Sequence, residues 1–416
     1  MKQNIWIINH YASDTYFERG GRHYWIAKYL RKMRYNVTIF CCNNKHNASD
    51  EKYFDTKELY IEKKADEIDT PFVFVAARGY CGNGLDRIMN MLAFYRNVKK
   101  TANKYIEKNG VPDVIIASSV HPFTLLAGIQ IARQHKVKCI CEIRDLWPES
   151  LVAYGIAGKY NPFVVTLRVL EKWIYKKADH LIFTMEGAYE YIKSQKWEKT
   201  VPEEKVSFIN NGVDLEEFNE NVKSYILKDK DLLDKNTFKV VYAGSIRKAN
   251  NIGRLIDAAK LLDCKNVRFL IWGSGGELEE LRKRVADENI NNVIFKGRVD
   301  KRYIPFILSH SDANFLDPFV DAISKYGISS NKLFEYFAAG RPILMNEMHN
   351  YIPGGESDCK FYYSDTPESI MHALNTIVEL SKDDYLASCN SAKHIAERYS
   401  FDQLTNSLTK IIEEEL

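Results

Sequence analysis

Proline and glycine are scarce in this chain, at 11 and 21 of 416 residues, which leaves no room for a long flexible linker or a collagen-like segment. No CxxC pair occurs among the eight cysteines (41, 42, 81, 139, 141, 264, 359 and 389), and no histidine stands near them at zinc-ligand spacing. They read as reduced core thiols of a cytoplasmic protein, with Cys139 and Cys141 as neighbours on one face of a buried strand. Long apolar runs are missing too. Only Ile5 to Ile8 follow the polar start, too few for a signal peptide, so export is not expected. The best membrane-span candidate is the uncharged run from Val114 to Ala132. Ser118, Ser119, His121 and Pro122 in its middle read instead as a loop between a short strand and a helix.

What is present is ordinary for a globular protein: 45% hydrophobic and 27% charged residues, in a length that suggests about two domains. The net charge of +3 is unevenly spread. Residues 1–200 hold 31 Lys and Arg against 21 Asp and Glu, whereas residues 201–416 hold 27 against 34. A basic half fits an anionic partner, whether nucleic acid, a phosphorylated substrate or a lipid surface; solvated lysines give the same count.

Strand-length apolar runs alternate with helical stripes. The amino half carries strands at Ile5–Ile8, Val37–Phe40, Val114–Ala117, Val137–Cys141, Leu181–Thr184 and Val206–Ile209, with a helix around Trp25–Met33 that Asn36 closes. The pattern resumes with strands at Phe238–Ala243, Val267–Trp272, Val293–Phe295, Ala313–Leu316 and Pro342–Met345. Helices at Ile252–Leu262, Glu277–Asp287 and Lys332–Ala339 separate them. Such alternation predicts two parallel sheets, each covered on both faces, with ligands at the strand carboxyl ends. The boundary falls near Gly212, before a polar stretch, Asn219–Asn236, without periodicity. Phe401–Leu416 reads as a final helix with Leu404, Leu408, Ile411 and Ile412 on one face.

Four segments carry candidate chemistry. In Gly327–Pro342 a small-residue turn opens a helix at Ser330, Asn331, Lys332 and Leu333, with Glu335 one turn in. A helix start suits a diphosphate, Lys332 adds charge, and Glu335 is placed to accept from ribose hydroxyls; the same Glu would also complement the helix dipole. Gly244 follows a strand, and Arg247 and Lys248 stand ready for phosphate oxygens. Trp272–Glu277 is not GxGxxG, because Leu278 occupies the third glycine position. Gly20, Gly21 and Arg22 form a long loop before the first helix. In Glu142–Ser150, Asp145 and Glu149 can act on a substrate hydroxyl, or Arg144 and Asp145 pair. Asp229-Lys230-Asp231 has the DxD form of metal-bound nucleotide-sugar sites, but its Lys-rich linker reads as solvated.

Two basic amphipathic segments fit either lipid contact or the core. Phe163–Lys177 presents Phe163, Leu167, Leu170 and Ile174, widened by Val169 and Trp173. Gly84–Lys108 presents Leu85, Ile88, Met89 and Leu92, with Met91 and Phe94 outside that face.

In this order the pieces resemble the family 4 glycosyltransferases of the two-domain GT-B fold. The resemblance rests on Gly20-Gly21, Asn211-Gly212-Val213-Asp214, Gly244, Gly273–Glu277, Gly297-Arg298-Val299, and Glu335 with Ala338–Pro342. Ser119–Phe123, Arg144–Leu151 and Gly327–Gly340 are similar to the bacterial O-antigen and capsule branch that includes L-fucosamine transferases. The resemblance implies an α/β chain of two Rossmann-like domains facing across a cleft. Residues 1–212, joined by a returning helix at 400–416, would bind the acceptor, and 213–399 the donor.

It also implies retaining, metal-independent transfer of an amino or deoxyamino sugar from a UDP-sugar to a polyprenyl-diphosphate-linked saccharide. That places the protein on the cytoplasmic face of the membrane, in O-antigen, capsule or exopolysaccharide synthesis, with no cofactor and no nucleic-acid partner. Asp145, Arg144 and Lys332 would be catalytic. Gly244, Arg247, Lys248, Gly297, Arg298, Val299, Ser330, Asn331, Lys332, Leu333 and Glu335 would bind the donor, and Gly20, Gly21, Arg22, His121 and Glu149 the acceptor. Three positions depart from the family pattern. Gly327 stands where its first glutamate belongs, Ser245 and Asn251 replace its phosphate-binding Arg and Lys, and Arg144 replaces its His. Arg247, Lys248 or Lys332 must then supply the cation. The rival expectations are a degenerate glycosyltransferase that serves as a nucleotide-binding or scaffold subunit, and a sugar-nucleotide epimerase.

Overall fold

Short, largely apolar strands organise the chain, because residues such as Ile5, Trp6, Ile7 and Ile8 bury both faces at once. The computed structural model describes residues 3–45, 53–54, 57–82, 84–119, 121–262, 266–318, 323–347 and 351–416; Cys264 and Val120 lie outside these. The chain divides into two compact units, Met1–Asn210 with Phe401–Leu416, and Asn211–Ser400.

The first unit runs β1 (Asn4–Ile8), α1 (Ser13–Glu18), α2 (Arg22–Lys32), β2 (Asn36–Cys42), β3 (Tyr60–Ala65), β4 (Thr70–Val75), α3 (Leu85–Asn109) and β5 (Val114–Ser118). It continues with α4 (Pro122–His135), β6 (Lys138–Ile143), α5 (Glu149–Ala153), α6 (Pro162–Lys177), β7 (His180–Phe183), α7 (Ala188–Ser194) and β8 (Val206–Phe208). The sheet order is β3-β4-β2-β1-β5-β6-β7-β8, parallel except for the antiparallel edge pair β3–β4. The strand order therefore reverses between β1 and β5, and the crevice outside their carboxyl ends is where such sheets place ligands. Helices α3, α4 and α6 lie side by side.

The second unit contains α8 (Leu215–Ser224), β9 (Phe238–Ala243), α9 (Ile252–Leu261), β10 (Val267–Trp272), α10 (Leu278–Asp287), β11 (Val293–Gly297), α11 (Ile304–Ser309) and β12 (Ala313–Leu316). After these come α12 (Asn331–Ala339), β13 (Ile343–Asn346), β14 (Lys360–Tyr363), α13 (Pro367–Val378) and α14 (Lys382–Arg398). Its sheet is wholly parallel, β11-β10-β9-β12-β13-β14, and reverses between β9 and β12. Side chains of β9 alternate between two cores. Val240 and Tyr242 pack with Ile256, Leu281 and Leu374, whereas Val241 and Ala243 pack with Phe306, Leu333 and Ile395. The last helix, α15 (Phe401–Glu415), packs on α2 of the first unit through a face that includes Leu404, Leu408, Ile411 and Ile412. Tyr35 donates to Glu413 across that contact at 2.9 Å.

Several sequence expectations are corrected. Asn36 opens β2 rather than closing the helix, because its amide bonds to Gln3 in the neighbouring strand. The long loop before Gly20 contains α1. The polar stretch from Asn219 begins inside α8, whose start is capped by Asp214 accepting from the Glu217 amide at 2.8 Å. Strands β3, β4 and β14 have no counterpart among the predicted strands. Helix α3 buries Met91, Phe94, Val98 and Tyr105 and exposes Leu85, Ile88 and Met89, so of the two alternatives for that face the core one does not hold. Cys81 is exposed, whereas the other described cysteines are buried; Cys139 and Cys141 share one face, their sulfurs 4.0 Å apart. The run from Val114 divides into β5 and α4 with Pro122 in its first turn, and among the described residues no helix is long and apolar enough to cross a membrane.

Candidate active site

In the second unit three loops leave the carboxyl ends of β9, β10 and β11 and stack backbone on backbone. The Gly244 amide bonds to the Trp272 carbonyl at 3.0 Å, and the Gly273 amide to the Gly297 carbonyl at 2.8 Å. A Cβ on Gly273 would collide with the Gly244 carbonyl oxygen and one on Gly275 with that of Ile246. These two glycines are thus required by loop packing itself. Gly244 is different, because a Cβ there would run into the Lys332 side chain.

Lys332 sits in the first turn of α12. The helix start has no side-chain cap at Ser330, so the leading amides, those of Asn331 and Lys332 among them, are left to an outside acceptor. The turn before it is held by Asn211, which donates to the Ser329 carbonyl at 2.8 Å. The Lys332 ammonium donates to the Tyr242 hydroxyl at 3.0 Å and to Asn250 Oδ1 at 2.9 Å, both neutral oxygens. Among the described residues no carboxylate lies within ion-pair distance of it. Burial lowers its pKa to about 8, against a weaker pull upward from Glu335. Glu335 is half-buried one turn later; burial raises its carboxyl, and Lys301 and Lys332 pull it back. Leu333 is buried in the core under this turn, Ser330 is partly accessible and Asn331 exposed. Arg247 and Lys248 are exposed beyond Gly244. Gly297 adopts a left-handed φ of 76° at the end of β11, followed by exposed Arg298 and partly buried Val299.

Asp317, at the end of β12, is completely buried and belongs to the same reversal point. Its Oδ1 accepts from Asn346 at 2.8 Å and Asn251 at 3.2 Å, and Arg254 Nη1 lies 3.6 Å from its Oδ2. Burial pushes this carboxyl up to about 6. The DxD pair is corrected from a solvated segment. Lys296 binds Asp229 at 2.7 Å and Asp231 at 2.6 Å, and Arg268 also meets Asp231 at 2.9 Å. Both carboxylates are thereby occupied by protein cations.

In the first unit the reversal point is filled by a closed polar network. Glu142, at the end of β6, accepts from Arg22 Nε at 2.8 Å, from Arg22 Nη2 at 2.7 Å and from Ser118 Oγ at 2.6 Å. His23 Nε2 lies 2.9 Å from Ser118 Oγ and 3.2 Å from Glu142 Oε2, and Asn9 donates to Ser118 at 3.0 Å. Burial raises the Glu142 carboxyl, but Arg22 first and His23 next outweigh it and hold it well below the usual range. Arg22 also donates to the backbone carbonyls of Ile209 and Asn210, and these bonds tie it to the protein. Gly21 has a φ of 97° as the residue before α2, and Gly20 lies against the Trp25 ring. Both shape the entry to α2.

Glu149 is likewise committed, to Arg168 at 2.7 Å. Arg144 makes no ion pair with Asp145 within 4 Å among the described residues; its amide donates to Ser119 Oγ at 2.9 Å. His121 is fully buried and bonded to His10 at 2.9 Å, and burial lowers it to about 3. Asp145 is accessible but crowded by protein, which raises its carboxyl. Asp145, His121, Ser119 and Trp147 are among the residues lining a small cavity of about 20 Å³.

Residues 24–217 match the family described as Glycosyltransferase Family 4, and residues 225–397 match Glycosyl transferases group 1. Each match covers just under half of the chain, and together they support a family 4-like glycosyltransferase. An uncharacterized glycosyltransferase of Methanocaldococcus jannaschii is 22% identical over 254 residues, 59% of this chain and 61% of that protein; the chain thus spans about three fifths of this curated relative. Among solved structures, sucrose-phosphate synthase of Thermosynechococcus elongatus superposes with a TM-score of 0.72 at 14% identity, covering 99% of each chain. HepE of Anabaena, solved in complex with UDP, gives 0.68 at 14% identity over 100% of both. These likenesses establish the two-sheet GT-B architecture.

Two of the three departures from the pattern that the resemblance implies acquire physical content. Asn251, in the place of a family lysine, is engaged in holding Asp317. Ser245, in the place of the arginine, accepts from Asn250 through its carbonyl oxygen at 2.9 Å, and Asn250 in turn holds Lys332. Arg144, in the place of the histidine, has its guanidinium pKa lowered by burial, against an upward pull from the nearby Glu142 carboxylate. Sequence reasoning missed Asp317 and Glu142 as site residues. A carboxylate directly after an apolar strand was the available signal in the first case, and one within the strand's last turn of residues in the second.

Proposed function

We propose that the chain transfers a sugar from a UDP-sugar, without a metal, to a lipid-linked saccharide, and that the second unit holds the donor diphosphate at the start of α12. The observation that carries this reading is Lys332, a half-buried cation bonded to neutral oxygens beside uncapped helix amides. Burying a cation without a counter-ion is costly, and an incoming diphosphate would remove that cost. Arg247 would close over the phosphates from solvent, Glu335 would accept from the ribose hydroxyls, and the turn at Gly297–Val299 would meet the base.

In the reaction the acceptor hydroxyl forms the new C1–O bond on the face from which the diphosphate departs. The bond from C1 to the phosphate oxygen breaks, the hydroxyl proton passes to the departing diphosphate, and UDP leaves. Lys332, Arg247 and the helix amides stabilise the developing negative charge, which is catalysis by positioned electrostatics. The first unit would take the acceptor. Its exposed apolar side chains Leu85, Ile88 and Met89 on α3 and Phe163, Val165 and Val169 on α6, with Arg87 and Lys172 nearby in sequence, support docking on an anionic bilayer. The O-antigen-type motif strings support an amino-sugar donor and a role in surface-polysaccharide assembly.

Calorimetric titration of UDP and GDP with EDTA present, into wild type and Glu335→Ala, tests the reading. Metal-independent UDP binding that weakens in the variant is the expected result. If neither nucleotide binds, the chain is a scaffold; product formed without any acceptor would mark an epimerase.

A further inference from the structure

The cation of the donor site is held by a residue whose own direction is fixed from behind. Asn250 ends one helical turn, Lys248–Asn250, between Arg247 and α9. Its amide nitrogen donates to the Ser245 carbonyl at 2.9 Å and to Ser245 Oγ at 3.1 Å. The other end of the amide therefore faces Lys332, and Oδ1 accepts from the ammonium at 2.9 Å. Turning the amide over would set its N–H groups against the ammonium and its oxygen against a carbonyl, so one orientation alone satisfies both contacts. The same carbonyl orients the second partner. Tyr242 donates its hydroxyl proton to Ser245 O at 2.7 Å, which leaves the phenol oxygen to accept from Lys332 at 3.0 Å. Burial raises the Tyr242 hydroxyl, so that proton stays in place.

An ammonium has three N–H donors. Two of them meet these neutral oxygens, and the third has no partner among the described residues. The side chain crosses Gly244, where a Cβ would collide with it. The chain beside Asn250 is also fixed, because Asn251 takes a left-handed φ of 45° and donates to the buried Asp317 at 3.2 Å. We propose that Asn250 is a positioning residue of the donor site: aimed by the Ser245 carbonyl, it holds the Lys332 ammonium through a neutral oxygen and leaves the third N–H for the diphosphate. The amide matters here, since an aspartate of nearly the same shape would occupy the cation with a charge of its own. The inference rests on the donor reading above and gives Asn250 no contact with the nucleotide.

Calorimetric titration of UDP into the full chain tests it, in wild type, Asn250→Ala, Lys332→Met and the double variant. Asn250 lies on a partly accessible turn, so its variants should keep the fold. Asn250→Ala is expected to weaken UDP binding roughly fivefold, the effect of losing one hydrogen bond. In the Lys332→Met background the same change should cost less than about twofold, because Asn250 acts only through the lysine. Asn250→Asp separates positioning from structure by its pH profile. Burial lowers the Lys332 ammonium to about 8, while Glu335 on its own helix pulls it up and Arg247 pushes it down; the Tyr242 hydroxyl on β9 also faces it. A carboxylate at position 250 adds an upward pull. UDP binding should then be roughly tenfold weaker at neutral pH, yet its alkaline decline should move from about 8 toward the ordinary lysine value of about 10.4. A shifted decline supports the role even where Asn250→Ala unfolds. Unchanged affinity in Asn250→Ala, a loss that simply adds to that of Lys332→Met, or a decline that stays near 8 in Asn250→Asp would each overturn it. If Lys332→Met weakens UDP binding and Asn250→Ala does not, the donor site stands and the inference falls. If wild type binds no UDP, the donor site falls and takes the inference with it.

Discussion

The two units treat a buried cation at the strand reversal point in opposite ways. In the first, Arg22 meets Glu142 through two nitrogens and two backbone carbonyls besides, and the network closes on itself. In the second, Lys332 meets a phenol and an amide oxygen. Pairing marks a charge that holds the fold together; on the proposed reading, the absence of a pair marks one kept for a ligand. Both residues follow small-residue turns at a helix start, so their sequence surroundings look alike; their partners tell them apart.

The largest effect expected from that contrast is on stability. Arg22→Met strands the buried Glu142 carboxylate and should cost about 3–5 kcal/mol, read as a lower midpoint in urea. Lys332→Met removes an unpaired buried charge and should leave the midpoint unchanged or raised. An equal loss in both variants would erase the distinction.

Next in size is nucleotide affinity. Lys332→Met should weaken UDP binding by about 1.5–3 kcal/mol, the worth of a charge-assisted hydrogen bond, roughly 10- to 150-fold by calorimetry. Arg22 variants that remain folded should bind UDP as wild type does.

The pH dependences also differ in sign. The folded Glu142 carboxyl is held well below its unfolded value, so its stabilisation is complete above about 4.3 and is lost as pH falls toward the folded value. Acid unfolding of wild type should show this loss, and Arg22→Met should lack most of it. Lys332 has a folded pKa of about 8, below its unfolded value, so it destabilises the fold at neutral pH, and the effect fades as pH rises past 8. UDP affinity should run the other way, steady below pH 8 and declining above it. The smallest effect is at the surface. Replacing Phe163 and Val169, 54% and 66% exposed, by Ser should reduce retention on anionic liposomes severalfold without shifting the melting temperature.

Much of this architecture was legible because local pattern and final environment agree. Phe238–Ala243 and Val267–Trp272 are apolar except for Lys239 and Arg268 and form buried parallel strands over the predicted residues. Where the environment depends on distant partners, the sequence is mute. Edge strand β3 reads Ile-Glu-Lys-Lys, and its pairing with β4 supplies the missing order, although the Phe72–Val75 run was visible. Asp229 and Asp231 look solvated until Lys296, more than sixty residues away, is brought to them. Lys332 and Glu335 were legible from the turn before their helix, whereas the commitment of Arg22 and Glu149 to Glu142 and Arg168 was not. A basic residue in a glycine-rich loop carries no local sign of whether a carboxylate waits behind it.

The central claim is that Lys332 is kept unpaired for the donor diphosphate, and proton uptake on binding tests it most directly. Calorimetric UDP titrations at pH 8.5 in two buffers of different ionisation enthalpy report that uptake. The diphosphate itself is already ionised there, phosphate second pKa values lying near about 6. Wild type is predicted to take up a substantial fraction of a proton as UDP restores the charge on Lys332, and Lys332→Met to take up none while binding more weakly. Equal uptake in both proteins, or UDP affinity unaffected by the substitution, would contradict the account.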